Sequence, residues 1–147
     1  MNVISLLENL LKIFPAHINS YEYHMIDFLN HPETQRIIEA ALKEDIGPGD
    51  FTSLSTIPSG LHSRAKCFIK GEGILAGVTL AEKIAHTVDP NLQLELLIED
   101  GTPVKYGDIA FFMEGDPRSI LRAERIILNF MQRMSGIATM TMSVTDQ

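Results

Sequence analysis

The chain has 147 residues, 45% of them hydrophobic and 21% charged, which is the composition of one globular domain with a sizeable core. Its net charge of −7 argues against a general nucleic-acid-binding protein, and no apolar run reaches the roughly 18 residues that cross a membrane. The single cysteine, Cys67, excludes an internal disulfide and a cysteine-cluster metal site, and it fits a reducing, cytoplasmic setting.

Residues 1–24 precede the part of the chain with the clearest periodicity. Four apolar residues recur there at helical spacing before Pro15 breaks the pattern: Ile4, Leu7, Leu11 and Phe14. The stretch lacks the basic start and the small-residue cleavage site of a signal peptide. It is either a docking helix or leader sequence upstream of a true start at Met25, and we treat residues 1–24 as an N-terminal extension.

From Pro32 onwards, apolar spacing and turn residues divide the chain into helices and strands. The predicted elements are helix 32–43, strand 63–70, strand 72–77, helix 78–88, strand 92–99, strand 109–114 and a helix from 118 that Ser135 and Gly136 interrupt. Asn30 or His31 is the expected N-cap of the first helix, and Gly47 its expected C-cap. Alternation over 92–99 places four apolar side chains inward: Leu92, Leu94, Leu96 and Ile98. Strands joined by tight turns and packed by helices predict an α+β sandwich on a mostly antiparallel sheet.

The last helix carries a polar stripe. Its members are Arg118, Arg122, Arg125, Asn129 and Gln132, spaced 4, 3, 4 and 3 residues apart. Asp116 is a candidate N-cap, with Pro117 at the first helical position. Arginines near a helix start are unfavourable unless an anion or a carboxylate compensates them, and unpaired backbone N–H groups there hold an anion well. The stripe is either a solvated charged face or an anion site, and Arg125 is the best placed for the latter.

The sequence contains no motif that defines a catalytic centre. Glycines 71, 73 and 77 have the wrong spacing for a dinucleotide-binding loop, and the five histidines are too scattered to predict a metal site. The carboxylates of Glu44, Asp45 and Asp50 surround a glycine turn, where we expect them to pair or to cap helices. Cys67 lies in an alternating run and is predicted to be a small buried residue rather than a nucleophile.

Four stretches resemble a known family. They are EDIGPGDFTS (44–53), EGILAG (72–77), EDGTPVKYGD (99–108) and LRAERIILNFMQRMSGIATMT (121–141). In this order they resemble the N-terminal part of quinolinate phosphoribosyltransferase, also called nicotinate-nucleotide pyrophosphorylase (carboxylating). The resemblance covers roughly residues 25–141. It implies an enzyme of NAD synthesis that joins quinolinate to phosphoribosyl pyrophosphate, with Mg²⁺ accompanying the latter, and releases nicotinate mononucleotide, pyrophosphate and carbon dioxide.

The resemblance also implies a domain plan and one site residue. It assigns residues 25–126 to an N-terminal sandwich domain and 127–147 to the start of an open α/β barrel domain that is cut short. In a homodimer, the arginine that matches Arg125 reaches the neighbouring subunit and binds the quinolinate carboxylates. We assign no catalytic or metal-binding residue to this chain and expect it to be inactive alone. With the barrel missing, part of the last helix should face water, namely Ile126, Ile127, Phe130 and Met131.

Two other functions are compatible with the sequence. The sandwich could be a non-catalytic binding or interaction module that uses the arginine helix. The EDGTPVKYGD turn also suggests a lipoyl-like carrier domain, but the chain lacks a suitably flanked lysine at a hairpin tip.

Overall fold

The structure is a computed structural model that describes residues 27–46, 57–58 and 60–145. The chain divides into two compact units, residues 1–35 and 36–147, and the boundary falls within the first long helix. Among the described residues, no helix is long and apolar enough to cross a membrane. The predicted domain limits of 1–24, 25–126 and 127–147 remain predictions.

A helical turn at 27–30 leads into helix α1 (Pro32–Ile46), of which residues 32–35 belong to the first unit and 36–46 to the second. His31 is the N-cap, because its Nδ1 accepts a hydrogen bond of 3.2 Å from the Glu33 backbone N–H. The buried Thr34 donates its hydroxyl to the Phe28 carbonyl at 2.5 Å. Helix α1 ends three residues later than predicted, and the expected C-cap Gly47 lies outside the described residues.

The second unit contains two antiparallel sheets and two further helices. In chain order these are β1 (Ser63–Phe68), β2 (Gly73–Ile74), α2 (Val78–Val88), β3 (Gln93–Leu96), β4 (Pro103–Val104), β5 (Ile109–Gly115) and α3 (Pro117–Thr145). One sheet has the order β1-β5-β3, and the other pairs β2 with β4. This is the α+β, antiparallel architecture that the sequence predicts, with the short strand β4 as an addition.

The hydrophobic core of this unit is built from β5, α2 and α3. Its buried side chains include Val78, Ala81, Ile84, Ala85, Ala110, Phe111, Met113, Ile120, Ala123, Ile127 and Met131. On the outer face of the sheet, Arg64 pairs with Glu95 at 2.7 Å and with Glu114 at 3.1 Å, and its guanidinium lies 4.1 Å from the centre of the Phe112 ring. The sheet therefore has one apolar face, covered by helices, and one charged face.

The inward position predicted for Leu96 in the alternation over residues 92–99 is wrong, whereas Leu94 and Ile98 are both half-buried. Strand β3 has four residues, Leu92 is buried just before it, and Leu96 is 40% exposed. The backbone N–H groups of Leu97 and Ile98 both donate to the Ala110 carbonyl, at 2.9 and 3.2 Å. Two residues opposite one is the pattern of a β-bulge, which follows Leu96 and ends the regular pairing of β3 with β5.

The motif over 99–108 has a clear structural role, because Asp100 caps helix α2. Its carboxylate accepts hydrogen bonds from the Val78 and Thr79 backbone N–H groups, at 2.8 and 3.2 Å, and from the Thr79 hydroxyl at 2.8 Å. The residue before the helix, Gly77, has no side chain to do this and adopts a φ of 95°. A carboxylate from 22 residues further along the chain therefore replaces the local cap.

Helix α3 runs without a break through Ser135 and Gly136, so the predicted interruption is wrong. The Ser135 hydroxyl accepts a hydrogen bond from the Ala76 N–H at 2.9 Å, and the Thr139 hydroxyl accepts one from the Ile74 N–H at 2.8 Å. These bonds tie α3 directly to the EGILAG stretch. A Cβ atom at Gly73 would lie 2.5 Å from the Thr139 hydroxyl oxygen, so the close approach requires glycine there.

Replacement of the remote cap should destabilise the domain. We expect Asp100→Ala to lower the free energy of unfolding by about 1–2 kcal/mol, because two backbone donors at the start of α2 lose their acceptor. Urea denaturation followed by circular dichroism measures the change. The matched control is Glu99→Ala, an exposed neighbour, and equal stability of the two variants would contradict the capping role.

The hydroxyl of Thr139 should matter far more than that of Thr141, which lies two residues further along α3 and about 200° round the helix. Thr139→Val keeps the shape but leaves the Ile74 N–H without an acceptor, which costs about 1–3 kcal/mol. Thr141 is exposed, and its hydroxyl donates to the Ile137 carbonyl of the same helix, so Thr141→Val is the control. The two unfolding curves should separate clearly. Coinciding curves would mean that the bond to β2 contributes nothing.

Candidate functional site

The candidate site is the outer face of α3, where the polar stripe lies. Arg122, Arg125, Asn129 and Gln132 are exposed, and Arg118 is half-buried. The helix begins where the sequence predicts, since the Asp116 carboxylate accepts a hydrogen bond of 2.8 Å from the Arg118 backbone N–H. The opposite face of the helix packs on the core, so the stripe projects away from it.

Arg118 has a structural partner. Its Nε donates to the Ile57 carbonyl at 2.9 Å, and its Nη2 donates to the same oxygen. A guanidinium that donates twice to one main-chain carbonyl is held in place. Arg118 thus fastens the first turn of α3 to the segment at Ile57.

Arg122 lies near the carboxylate of Asp89, which the sequence analysis did not identify as its counter-charge. The Ser119 hydroxyl donates to Asp89 at 2.7 Å, and the Asn91 backbone N–H donates to the same carboxylate at 2.9 Å. The hydrogen bond from Ser119, then that from Asn91, and more weakly the charge of Arg122, lower the pKa of Asp89 below its ordinary value of 3.8. Asp89 follows α2 as its C-cap, so it joins the end of α2 to the start of α3.

Only one of the two roles of Asp89 could have been predicted from the sequence. The stretch Asp89-Pro90-Asn91 reads as a helix stop, which is correct. Its second role depends on the fold, because α2 and the start of α3 are separated by three strands in the chain. An aspartate at a helix C-terminus is unfavourable by itself, and the nearby start of α3 with its arginine offsets that cost.

Arg125 is exposed on the outer stripe, two turns into α3. Its sequence neighbour Glu124 lies about 100° round the helix and faces the sheet, where it lines a cavity of about 230 Å³ together with Cys67. Burial, and then the Glu124 carboxylate, raise the pKa of the Cys67 thiol. The thiol is therefore protonated at neutral pH, in agreement with a half-buried structural cysteine.

The prediction that the apolar side of α3 is uncovered at Ile126, Ile127 and Met131 is wrong. These side chains are only 3%, 1% and 4% exposed, because α2 and the strands of the unit pack against α3. Phe130 is half-buried. The exposed apolar side chains of α3 lie elsewhere, at Leu121, Ile137, Met140, Met142 and Val144.

A polar cavity separates α1 from the middle of α3. It has a volume of about 440 Å³ and is lined by Ala41, Glu44, Ile126, Asn129, Phe130 and Arg133. Glu44 is exposed, whereas the side chain of Asp45 and all of Asp50 lie outside the described residues, so the expected capping by these carboxylates remains a prediction. Within the described parts of the chain, no three His, Cys, Asp or Glu side chains are grouped so as to hold a metal ion.

Comparison with known proteins identifies the family. A sequence model described as "Quinolinate phosphoribosyl transferase, N-terminal domain" matches residues 50–135. The quinolinate phosphoribosyltransferase [decarboxylating] 1b of Nicotiana tabacum is 44% identical over 131 residues. The probable nicotinate-nucleotide pyrophosphorylase [carboxylating] of Bacillus subtilis is 36% identical over 113 residues. The crystal structure of NadC from Streptococcus pyogenes superposes with a TM-score of 0.71 at 31% identity.

The chain therefore belongs to the quinolinate phosphoribosyl transferase family, in its N-terminal domain. The alignments cover 87%, 77% and 74% of this chain, but only 37%, 39% and 40% of the tobacco, Bacillus and Streptococcus proteins. The chain thus spans well under half the length of these relatives. The recognition made from the four motifs is confirmed, as is the α+β fold.

The ionised Asp89 should stabilise the fold, and that contribution should disappear in acid. Because its pKa is lowered in the folded state, the stabilisation is present above pH 3.8 and is lost as the pH falls through the lower folded value. We expect Asp89→Asn to be less stable than the parent near neutral pH, with the difference shrinking below pH 3.8. Urea denaturation over a pH series measures it, with Glu82→Gln on α2 as the control. A pH-independent difference would contradict the charge effect.

Proposed function

We propose that this chain is the N-terminal domain of a quinolinate phosphoribosyltransferase of NAD synthesis. The reaction joins quinolinate to phosphoribosyl pyrophosphate and yields nicotinate mononucleotide, pyrophosphate and carbon dioxide. Family membership and the names of the relatives support this proposal. The observation that carries it within the chain is the exposed position of Arg125, the arginine of the matching motif, on the outer face of α3.

The proposed role of Arg125 is to bind a quinolinate carboxylate. A guanidinium matches the planar geometry of a carboxylate and donates two parallel hydrogen bonds to it. Arg118 is engaged by the Ile57 carbonyl, and Arg122 lies near Asp89, so their positions suit a structural role. Arg125 is exposed on the outer face of α3, so another surface can reach a ligand bound to it. We propose that this surface belongs to the second subunit of a homodimer.

Phosphoribosyl pyrophosphate is the second proposed substrate, and Mg²⁺ would accompany its phosphates and neutralise their charge. The described residues contain no carboxylate cluster that suits a metal ion, so we assign none of its ligands to them. We propose a cytoplasmic enzyme without nucleic-acid or membrane partners. Several plant relatives are named as chloroplastic or mitochondrial, so imaging of a tagged chain is the relevant test of the compartment.

A non-catalytic interaction module is the second candidate function. The exposed apolar side chains Ile137, Met140 and Val144 on α3 favour it, since such a face usually serves contact with another surface.

A chimaeric enzyme tests the catalytic proposal. Residues 25–141 would replace the matching part of the Bacillus subtilis relative, whose remaining length supplies the rest of the enzyme. We expect nicotinate mononucleotide from quinolinate and phosphoribosyl pyrophosphate. Arg125→Ala should weaken the binding of quinolinate by about 1.5–3 kcal/mol, the value of one charge-assisted contact. It should affect the binding of phosphoribosyl pyrophosphate much less. Arg125→Lys should recover only part of the loss, because lysine lacks the bidentate geometry.

Two further measurements make this test specific. Arg133→Ala, an exposed arginine two turns further along α3, is the matched control and should leave both apparent affinities unchanged. Mixing the Arg125→Ala chimaera with one inactivated in the Bacillus portion should restore activity if the arginine acts across subunits. Equal weakening of both substrates would assign Arg125 a structural role, and failure of the mixture to regain activity would exclude action across the dimer.

A further inference from the structure

The carboxylate of Asp89 is held in place between helices α2 and α3. Its Oδ1 atom accepts hydrogen bonds from the Asn91 backbone N–H at 2.9 Å and from the Asn91 side-chain amide at 3.0 Å. Its Oδ2 atom accepts a hydrogen bond from the Ser119 hydroxyl at 2.7 Å. Because both oxygens have donors, the carboxylate cannot turn away from α3 without losing a bond. Its negative charge is therefore fixed beside the first turn of that helix.

The fixed charge of Asp89 lies next to the polar stripe. Ser119 and Arg122 are three residues apart on α3, so their side chains are neighbours on the helix surface. The hydrogen bonds from Ser119 and Asn91 lower the pKa of Asp89, and the positive charge of Arg122 adds to that effect. Arg122 itself is exposed. Asp89 and Arg122 therefore interact by charge at a surface that a dissolved anion can reach.

The spacing of Arg122 and Arg125 on the polar stripe bears on the choice of anion. They are three residues apart, and two neighbouring guanidinium groups suit a polyphosphate, whose several oxygens can accept hydrogen bonds from both. The reaction proposed above involves phosphoribosyl pyrophosphate and the pyrophosphate that it releases. Both carry more negative charge than quinolinate. An uncompensated arginine pair would therefore attract them more strongly than it attracts the carboxylate that Arg125 is proposed to bind.

We infer that Asp89 is a specificity-determining residue, which neutralises Arg122 and so favours a carboxylate over a polyphosphate at Arg125. The inference rests on the proposed function and deepens it. Asp89 touches neither substrate and acts through Arg122 and through its own charge. Repulsion by a fixed carboxylate increases with the charge of the ligand, so it acts more strongly on pyrophosphate than on quinolinate. Selectivity of this kind comes from an element that disfavours the wrong anion.

Binding of pyrophosphate to the 147-residue chain tests this inference without catalysis. The measurement is isothermal titration calorimetry with inorganic pyrophosphate, in the absence of Mg²⁺ and at low ionic strength. Asp89→Asn should bind pyrophosphate about three- to tenfold more tightly than the parent, because one opposing charge is removed. The gain should shrink at high salt, since Arg122 is exposed. A merely structural loss at Asp89 would weaken binding rather than tighten it.

Two further variants make the binding test specific. Asp89→Asn combined with Arg122→Gln should bind pyrophosphate no more tightly than the parent, because the guanidinium that Asp89 neutralises is gone. Glu99→Gln makes the same change in net charge and should bind like the parent. Glu99 is exposed, and its neighbour Asp100 caps the opposite end of α2 from Asp89. Circular dichroism should show that all variants fold. Unchanged or undetectable binding by Asp89→Asn, or equal tightening by Glu99→Gln, would overturn the inference.

The chimaeric enzyme relates the inference to catalysis. At saturating phosphoribosyl pyrophosphate, Asp89→Asn should lower the inhibition constant of pyrophosphate more than it lowers KM for quinolinate. An active chimaera in which this substitution leaves inhibition by pyrophosphate unchanged would overturn the inference and leave the proposed function intact. A chimaera that makes no nicotinate mononucleotide would contradict the proposed function, and calorimetry on the chain would still decide whether Asp89 disfavours a polyphosphate.

Discussion

The bonds between the hydroxyls of α3 and the backbone of residues 74–76 are the constraint on which the rest of the second unit depends. Strand β2 has two residues and one pairing strand, so its other edge would leave a backbone N–H group without an acceptor. Thr139 accepts from Ile74 in β2, and Ser135 accepts from Ala76 two residues after it. A long helix is thereby held in one register against the sheet. Because every arginine of the polar stripe belongs to that helix, the same bonds fix where the stripe points.

The start of α3 is fixed by a different kind of contact, and the two ends complement each other. At the start, Asp116 caps the backbone, Arg118 holds the Ile57 carbonyl, and Ser119 binds Asp89. These are charge-assisted contacts at a helix terminus, whereas the contacts of the far half are neutral. Arg125 lies between the two anchored regions of the helix. A positioned guanidinium of this kind loses less conformational entropy on binding a carboxylate than one on a mobile loop.

Local sequence patterns predict much of this fold correctly. They fail where a contact with a residue distant in the chain determines the local structure. The helices over 78–88 and from 117 onwards, the antiparallel strands, and the cap at Asp116 all follow from spacing and from capping chemistry. The continuity of α3 through Ser135 and Gly136 does not follow from local pattern. Serine and glycine favour a break in a helix unless a neighbouring group forms a hydrogen bond with the serine hydroxyl. The exposure of Leu96 likewise depends on the tertiary fold, because Leu96 is the last residue of the edge strand β3. Within the site, the arginine stripe was readable from the sequence, but the pairing of its first two members with Ile57 and Asp89 required the tertiary fold.

The bulge opposite Ala110 also affects how the protein behaves at high concentration. Strand β3 is an edge strand, and a flat edge offers a row of backbone groups on which another chain can add a strand. Here two consecutive N–H groups converge on one carbonyl, so the edge twists and the regular row ends after four residues. Without the bulge, the exposed Leu96 and Leu97 would lie on a longer regular edge with an apolar surface. The irregularity thus shortens the regular edge on which another chain could add a strand, and it does so through the backbone rather than through surface charge.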